Sequence, residues 1–248
     1  MKIVIPARIT STRLPGKPLA DICGKPMIQH VWERAREAEI PGDQIIIAAD
    51  HDSIIEAAEA FGAAAVKTSE THESGTDRIA EVAALMGWGL AEVVVNLQGD
   101  EPLMPPQLVR MVGEALARTE AAALATASCP ITTAADVENP NIVKVVSGAD
   151  GTALYFSRSP VPYDRSGVDL ARFNYQRHIG LYAYRVKTLE VLASLPPTPI
   201  EQLECLEQLR ALSAGMKIHV SEVAEAPPHG VDTEADLIAV RKTIGGSL

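Results

Sequence analysis

The sequence is poor in cysteine: it has three, Cys23, Cys129 and Cys205, and they lie far apart. None of them belongs to a CxxC or Cys/His pattern, so we expect neither a disulfide framework nor a zinc site. Long apolar runs are also missing, since no stretch approaches the ~20 residues of a membrane span and the opening run is too short for a signal-peptide core. We therefore expect a cytoplasmic protein that does not cross a membrane.

Sequence motifs of several common enzyme classes are absent as well. There is no GxGxxG after the first apolar run and no GxxxxGK[ST], which excludes a dinucleotide-binding fingerprint and a Walker P-loop. GxSxG and HExxH do not occur either. Covalent catalysis and zinc chemistry are therefore unsupported.

Basic charge is scarce overall, with 22 Lys and Arg against 32 Asp and Glu and a formal net charge of −10. We therefore do not expect wholesale binding to DNA or RNA, which needs a broad basic face. The first 36 residues are the exception, because they hold seven basic and two acidic residues. A local positive site on an acidic protein suits a small polyanion such as a nucleoside triphosphate.

The order of the apolar segments predicts an α/β fold. Short runs typical of strands occur at residues 3–5, 44–50, 63–68 and 93–97. Helical spacing lies between or after them, at 26–39, 53–61 and 79–86. This alternation is typical of a mostly parallel, twisted sheet with helices on both faces.

The rhythm changes after residue 122, where strand-like runs crowd together. We interpret residues 123–200 as including a β-rich insertion on the same sheet rather than an independent domain. Apolar residues at every third position then predict a helix at 200–214, with a core or an oligomer face on its apolar stripe. A last strand at 217–223 precedes a terminal helix.

The loop after the first strand carries the clearest chemical signal. It holds three cations within ten residues and no acid, namely Arg8, Arg13 and Lys17. Ligands of such domains bind outside the carboxyl ends of parallel strands, so the loop is well placed to bind phosphates. A solvated basic loop is the alternative.

Two acidic residues follow later strands. Asp100 lies in QGDEP directly after the run at 93–97, and Asp232 lies in GVDT after the last strand. Mg²⁺ is commonly bound by one or two carboxylates together with substrate phosphates, and parallel strands would bring both residues to the edge that carries the basic loop. Each could instead cap a turn or a helix, and the residues alone leave both interpretations open.

Three further segments are ambiguous on their residues alone. The run Ser74-Gly75-Thr76-Asp77-Arg78 fits a contact to a base or a sugar and fits a capped helix start equally well. A strand histidine such as His178 is more often structural than catalytic. Glu207 and Gln208 lie opposite the apolar stripe of their predicted helix, so a solvated face is expected there.

Several of these stretches occur together in one known family. The sequence contains, in order, IPAR, STRLPGKPL, HESGTDR, VNLQGDEP, NPNIVKVV, ALYFSRSPVPY, RHIGLYAYR, LEQLRAL and GVDT. On this series, which runs from about residue 3 to residue 236, the chain resembles the CMP-Kdo synthetase family, the 3-deoxy-manno-octulosonate (Kdo) cytidylyltransferases. The correspondence is least in the polar loop at 162–175.

The resemblance implies one nucleotidyltransferase domain over residues 1–248, of the nucleotide-diphospho-sugar-transferase type, in a homodimer that the insertion and the helix near 200–214 help to form. It implies the transfer of CMP from CTP to Kdo, with release of pyrophosphate and with Mg²⁺ as cofactor, for lipopolysaccharide synthesis. The residues that it gives to the nucleotide are Arg8, Arg13, Lys17, Ser74, Gly75, Arg78 and Gln98. Those that it gives to the acid-sugar pocket are His178, Tyr182, Glu207 and Gln208.

The same resemblance gives Mg²⁺ to Asp100 and Asp232, and makes Lys17, Arg8 and Asp100 the catalytic residues. Three alternatives remain at this point. The first is a cytidylyltransferase for a related acidic sugar, such as 8-amino Kdo or a nonulosonic acid. The others are a non-catalytic nucleotide-binding protein and a Mg²⁺-dependent glycosyltransferase.

Overall fold

The computed structural model describes residues 1–11, 13–39, 44–72 and 74–246. Its strands are β1 (Lys2–Ala7), β2 (Asp21–Ile22), β3 (Lys25–Pro26), β4 (Ile45–Ala49), β5 (Ala64–Lys67), β6 (Val93–Asn96), β7 (Leu124–Pro130), β8 (Lys144–Ser147), β9 (Ala153–Ser157), β10 (Gln176–Arg185) and β11 (Ile218–Glu222). Its α-helices are α1 (Met27–Glu37), α2 (Asp52–Ala60), α3 (Gly75–Leu85), α4 (Pro106–Arg118), α5 (Ala134–Glu138), α6 (Val186–Ser194), α7 (Pro199–Glu204), α8 (Gln208–Ser213) and α9 (Glu234–Gly245). One short 3-10 helix covers Lys17–Leu19.

The main sheet has the strand order β11-β7-β10-β6-β1-β4-β5. Neighbours are parallel along β6-β1-β4-β5 and between β11 and β7, whereas β10 runs antiparallel to both β6 and β7. β8 pairs with β10, and β9 pairs with β8. The predicted α/β class with a mostly parallel sheet is confirmed.

Each face of the sheet packs against its own helices. Ile3 and Ile5 of β1 point into one core with α1, α2 and α4, whereas Val4 between them points into the other core with α3, α6 and α8. This alternation follows from the two-residue period of a strand. Burying each such side chain contributes roughly 1.5–3 kcal/mol, so two complete cores hold the strand ends in fixed positions.

The strands predicted after residue 122 take two different places. β7 and β10 lie within the main sheet, next to the parallel strands, and β8 and β9 extend from one end of β10. β10 therefore carries its side chains into the middle of the molecule, beside β6. Within the described residues, no helix is both long enough and apolar enough to cross a membrane.

The single helix predicted at 200–214 is wrong. Two short helices, α7 and α8, occupy this segment, and they are separated at Cys205, which has a left-handed backbone with φ 50°. A stripe of period three cannot stay on one face of a helix with 3.6 residues per turn. Accordingly Leu209 is fully buried, whereas the side chain of Leu203 is 83% exposed.

Helices α4 and α6 are not predicted from the sequence, although α4 has a clear start. Pro106 occupies its first turn, where a missing N–H costs nothing, and its apolar face is buried against the sheet. These two helices place no charged side chain in the site described below. Their contribution is to fix β6, β7 and β10.

Candidate active site

The loop that follows β1 folds back on itself. The Ile9 N–H donates to Asp50 Oδ1 over 2.9 Å, and the Gly16 N–H donates to the Ile9 carbonyl over 3.2 Å. Gly16 adopts a left-handed φ of 69°, which favours glycine, and the short 3-10 helix begins directly after it. The two hydrogen bonds bring Arg8 and Lys17, at the two ends of the loop, to the same cleft.

This cleft, which we call the loop cleft, has a volume of about 450 Å³ and lies at the carboxyl ends of β1 and β6. Six of the residues predicted for the site line it: Arg8, Arg13, Lys17, Gly75, Gln98 and Asp100. Thr10 and Ser11 add hydroxyl groups to the same wall. The cleft therefore combines three cations with a carboxylate.

Lys17 joins the two acidic residues. Its Nζ donates to Asp100 Oδ2 over 2.6 Å, to the Val231 carbonyl over 2.8 Å and to Asp232 Oδ1 over 3.2 Å. Arg13 Nη2 also donates to Asp232 Oδ1, over 2.9 Å. Lys17 thus contacts residues that lie more than two hundred positions away in the chain.

Neither acid acts as a helix cap. At the start of α9 the capping group is the Thr233 side chain, which accepts from the Asp236 N–H, while Asp236 accepts from the Thr233 N–H over 2.8 Å. The Asp232 carboxylate is left to pair with Lys17 and Arg13. The Asp100 carboxylate pairs with Lys17 as well, and α4 begins only at residue 106.

The two carboxylates fit a divalent cation on the chemistry of their donors. Both already converge on one positively charged atom, the Lys17 ammonium nitrogen. Within the described ranges, no group of three or more His, Cys, Asp or Glu side chains forms a site that could hold a metal without help. Two carboxylates beside a polyanion pocket are the set that Mg²⁺ uses when substrate phosphates complete its coordination.

A backbone hydrogen bond holds Asp232 next to Asp100. The Val231 N–H donates to the Asp100 carbonyl over 2.8 Å. A Cβ at position 230 would lie 2.8 Å from Glu101 Oε1 and 3.1 Å from the Asp100 carbonyl, so glycine is needed for this close approach.

Burial, followed by the charge of Asp100, raises the pKa of Glu101 to about 8. Sequence reasoning missed Glu101, although it stands inside the QGDEP motif.

A second cleft, which we call the helix cleft, opens beside the first. It has a volume of about 820 Å³, and α3, α7 and α8 with their flanking loops form its walls. Ser74 lines it and also caps α3, because its Oγ accepts from the Asp77 N–H over 3.1 Å. The next residue, Gly75, lines the loop cleft, so the start of α3 borders both clefts.

Glu207 and Gln208 are not on a solvated face, so that prediction is wrong. The break at Cys205 turns α8 inward, and only 9% of Gln208 is exposed. Burial raises the pKa of Glu207, although the hydroxyls of Ser74 and Thr76 offset part of the rise. Glu207 lines the helix cleft, and Glu207 Oε1 and Gln208 Nε2 are buried without a hydrogen-bond partner.

His178 and Tyr182 form an aromatic row on β10. Their ring centroids are 5.3 Å apart, and Tyr184 continues the row at 5.8 Å from Tyr182. His178 Nε2 lies 3.0 Å from Thr126 Oγ1, and burial, with a smaller effect of Arg177, lowers the pKa of His178 to about 3. His178 is therefore neutral and a weak base.

The hydroxyl of Tyr182 is buried and has no hydrogen-bond partner among the described residues. Asn96, its neighbour across the β6–β10 ladder, has an unpaired Oδ1 as well. Burial and the charge of Glu207 raise the pKa of Tyr184, next along the row. Unpaired buried polar atoms are uncommon and costly, so this cluster has the character of a site for a polar ligand.

Arg78 differs from the other predicted site residues because its side chain is completely buried. It lies behind the loop cleft, where its Nη1 donates to Thr68 Oγ1 and its Nη2 is 3.7 Å from Asp50 Oδ2. Of the other predicted residues, eight line the two clefts: Arg8, Arg13, Lys17, Gly75, Gln98 and Asp100 the loop cleft, and Ser74 and Glu207 the helix cleft. Asp232 pairs with Lys17 beside the loop cleft. Tyr182 and Gln208 are buried, His178 is half-buried, and these three residues line neither cleft.

A basic loop after the first parallel strand, two converging carboxylates and a polar second cleft define a nucleotide-binding α/β protein of the nucleotidyltransferase class. A comparison with family models agrees, because residues 2–218 match the model described as cytidylyltransferase. The chain belongs to the cytidylyltransferase family.

Individual relatives show which kind of cytidylyltransferase the chain is similar to. A 3-deoxy-manno-octulosonate cytidylyltransferase of Vibrio vulnificus (strain YJ016) is 51% identical over 246 residues, which cover 98% of this chain and 97% of the relative. The enzyme of that name from Idiomarina loihiensis is 50% identical, with 98% of each chain covered. The resemblance identified in the sequence is confirmed.

Solved structures agree on the fold. A CMP:2-keto-3-deoxy-manno-octonic acid synthetase complexed with CTP is 45% identical and superposes with a TM-score of 0.91, covering 99% of this chain and 98% of the other. A cytidylyltransferase from Leptospira borgpetersenii is 16% identical with a TM-score of 0.64, covering 99% of this chain and 87% of its own, and shows the shared fold alone.

Proposed function

We propose that the protein transfers CMP from CTP to 3-deoxy-D-manno-octulosonate (Kdo), giving CMP-Kdo and pyrophosphate. The observation that carries this proposal is the convergence of Lys17, Asp100 and Asp232 at one point of a cleft lined by Arg8 and Arg13. The names of the relatives that are about half identical support the choice of both substrates. The reaction would take place in the cytoplasm and activate Kdo for lipopolysaccharide synthesis.

In this proposal the loop cleft binds the triphosphate of CTP. Arg8, Arg13 and Lys17 supply three positive charges, and the hydroxyls of Thr10 and Ser11 are additional donors. Gln98 and Gly75, at the inner end of the cleft, face the nucleoside. Charge-assisted hydrogen bonds to phosphate oxygens are the strongest that these side chains can make.

The chemistry requires positioning rather than a protein nucleophile. The 2-hydroxyl of Kdo attacks the α-phosphorus in line and loses its proton to water, the new oxygen–phosphorus bond forms, and pyrophosphate leaves with the electrons of the broken bond. Lys17 and the two arginines stabilise the charge that develops on the phosphates. Asp100 and Asp232 would hold Mg²⁺, which supplies further neutralisation of phosphate charge when bound.

The sugar is assigned to the side of the site formed by His178, Tyr182, Glu207 and Gln208. The Tyr182 hydroxyl, Glu207 Oε1 and Gln208 Nε2 have no hydrogen-bond partner among the described residues and are covered by protein, so they would exchange hydrogen bonds with sugar hydroxyls once the sugar displaces the groups that cover them. With a pKa of about 3, His178 is too weak a base to deprotonate the attacking hydroxyl at neutral pH. A contact role for His178 fits its chemistry better.

Release of pyrophosphate from CTP, measured with a panel of acidic sugars, tests the proposal. Kdo should give CMP-Kdo and pyrophosphate more efficiently than 8-amino Kdo or a nonulosonic acid. Binding of CTP without pyrophosphate release would instead indicate a non-catalytic nucleotide-binding protein. Release of a nucleoside diphosphate from a nucleotide sugar would indicate a glycosyltransferase, and preference for another sugar would change the substrate.

We also infer that the chain works as a homodimer. Large apolar side chains are exposed on α7 and on β9, where Leu203 is 83% exposed and Leu154 is 63% exposed. Light scattering should give the mass of two chains, and Leu203→Glu should shift it towards one. Leu85→Glu is the matched control, because Leu85 is 61% exposed at the end of α3. A wild-type protein with the mass of one chain would overturn this inference.

A further inference from the structure

Arg78 is a fully buried cation on the first turns of α3. Arginine is almost never enclosed completely unless it is well paired. Among the described residues, its guanidinium nevertheless makes one hydrogen bond, from Nη1 to Thr68 Oγ1, and its Nε and Nη2 atoms are buried without a hydrogen-bond partner there. The closest opposite charge is Asp50 Oδ2, which lies 3.7 Å from Nη2.

Stability alone does not account for this arrangement. A buried ion pair with incomplete hydrogen bonding is often no more stable than an apolar replacement of similar size, because both charges lose their hydration. Burial lowers the pKa of Arg78, and the nearby positive charge of Arg8 lowers it further, whereas Asp50 opposes the change. Arg78 therefore stands under the basic loop, close enough to Arg8 to be affected by its charge.

Asp50 connects Arg78 to that loop. Asp50 is 4% exposed and directly follows the strand β4, and its second carboxylate oxygen, Oδ1, accepts the Ile9 N–H over 2.9 Å. Ile9 follows Arg8 directly, and its carbonyl accepts the Gly16 N–H, one residue before Lys17. A continuous set of contacts thus leads from the buried guanidinium to the backbone of both loop ends.

Thr68 completes the support. Its N–H and its Oγ1 both donate to the Ala49 carbonyl, over 2.8 Å and 3.1 Å, so Thr68 is fixed against the residue that precedes Asp50. Arg78 then bridges Thr68 and Asp50 from below. Rotation of the Asp50 carboxylate away from Ile9 would break this bridge.

We propose that Arg78 is a positioning residue: by fixing Asp50 against the Ile9 N–H, it holds the basic loop in the conformation that a triphosphate binds. The proposal rests on the proposed function for its ligand, CTP. It differs from a direct contact between Arg78 and the nucleotide, because no part of the Arg78 side chain is exposed to either cleft.

The experiment is a double-mutant cycle on Arg78→Met, Asp50→Asn and the combined variant, with CTP affinity measured by calorimetry. Asn at position 50 keeps an oxygen for the Ile9 N–H, and the combined variant leaves no unpaired buried charge. Each single change should weaken CTP binding about tenfold, and the combined variant should be weakened little more than either, because both changes break the same bridge. Arg78→Lys, which keeps the charge, serves if Arg78→Met does not fold.

Amide hydrogen exchange at Ile9, without nucleotide, is the second measurement. It should accelerate at least tenfold in each variant, although the midpoint of denaturant unfolding of the combined variant should not fall. Arg185→Met is the matched control, since Arg185 is half-buried and donates to the backbone carbonyls of Leu116 and Thr119 away from both clefts. That control should change neither CTP affinity nor exchange at Ile9.

Additive losses of CTP affinity with unchanged exchange at Ile9 would overturn the proposal and assign Arg78 to the nucleotide itself. Unchanged affinity and unchanged exchange would overturn it too and leave a purely structural arginine. The exchange measurement needs no ligand, so it decides the role of Arg78 even if the protein does not use CTP. Failure of the proposed function and failure of this inference are therefore distinguishable.

Discussion

The loop cleft and the side assigned to the sugar present different kinds of polar group. The loop cleft presents full charges that are already paired with each other and are partly exposed, as in the contact of Arg13 with Asp232. The side assigned to the sugar presents buried polar atoms without partners, such as the Tyr182 hydroxyl and Gln208 Nε2. Under the proposed function, a polyanion would be bound by charge at the surface, and a sugar by hydrogen bonds that the protein alone leaves unmade.

Substitution of the charged residues that meet at Lys17 should have the largest effect on turnover. Lys17→Ala and Asp100→Ala should each lower turnover by about a thousandfold or more, because the first removes a positive charge beside the phosphates and the second removes a carboxylate that would hold Mg²⁺ there. Steady-state pyrophosphate release measures the effect, and circular dichroism verifies the fold. Lys25→Ala is the control, since Lys25 pairs with Glu33 at the surface. Near-normal CMP-Kdo formation by either site variant would contradict the assignment.

Substitutions on the sugar side should weaken the use of Kdo and leave CTP binding nearly unchanged. Glu207→Gln and Gln208→Ala should each raise KM for Kdo by roughly 10- to 100-fold, because the first replaces a buried acceptor oxygen and its charge with an amide and the second removes a buried amide. Affinity for CTP, measured by calorimetry, should stay within about twofold. Glu190→Gln, on the exposed face of α6, should change neither quantity. A comparable loss of CTP affinity would show that the two clefts are not separate binding sites.

Salt should affect CTP binding more than the use of Kdo, by a smaller factor than the substitutions above. Raising NaCl from about 0.05 to 0.5 M should weaken CTP binding several-fold, since the Debye length shortens and the loop cations are partly exposed. KM for Kdo at saturating CTP should change less, because the polar groups on that side are buried. Potassium glutamate in place of NaCl tests for a specific effect of chloride. Equal salt dependence of CTP affinity and of KM for Kdo would show that the two ligands do not differ in how far charge contributes to their binding.

The pH should act on stability rather than on ligand binding. His178 has a pKa of about 3 in the folded protein and about 6.5 when unfolded. Its contribution to stability is complete above pH 6.5 and is lost as the pH falls towards 3, by up to about 1.4 kcal/mol per pH unit.

Urea unfolding between pH 7 and pH 5 measures this dependence. His178→Gln should flatten the curve, whereas His51→Asn, at the exposed start of α2, should leave it as in the wild type. KM for Kdo should show no histidine ionisation between pH 5 and 8. A wild-type slope retained in His178→Gln would mean that other groups cause the pH dependence.

The loop cleft could be predicted because its signals are local in the sequence. Arg8, Arg13 and Lys17 fall within ten residues after an apolar run, and Asp100 ends the most apolar strand. Parallel strand order then brings them to one edge without further information. Asp232 needed the family series, since its own segment also reads as a helix start.

The sugar side could not be predicted from residue patterns. Glu207 and Gln208 face inward because the chain takes a left-handed conformation at Cys205. Cysteine has no special preference for that conformation, so the sequence does not indicate the break. Their neighbour Tyr184 comes from a strand placed between β6 and β7 by tertiary packing. Arg78 shows the same limit, because its burial depends on Asp50 and Thr68 from two other strand ends.

Lys17 has a consequence for the order of events. In the ligand-free protein its ammonium group, together with Arg13, already neutralises Asp100 and Asp232, and among the described residues no salt bridge involves Arg8. If a triphosphate binds there as proposed, its oxygens would take over the cations of the loop, and the two carboxylates would become free for a divalent ion. Nucleotide and metal should therefore each raise the affinity of the other by the same factor.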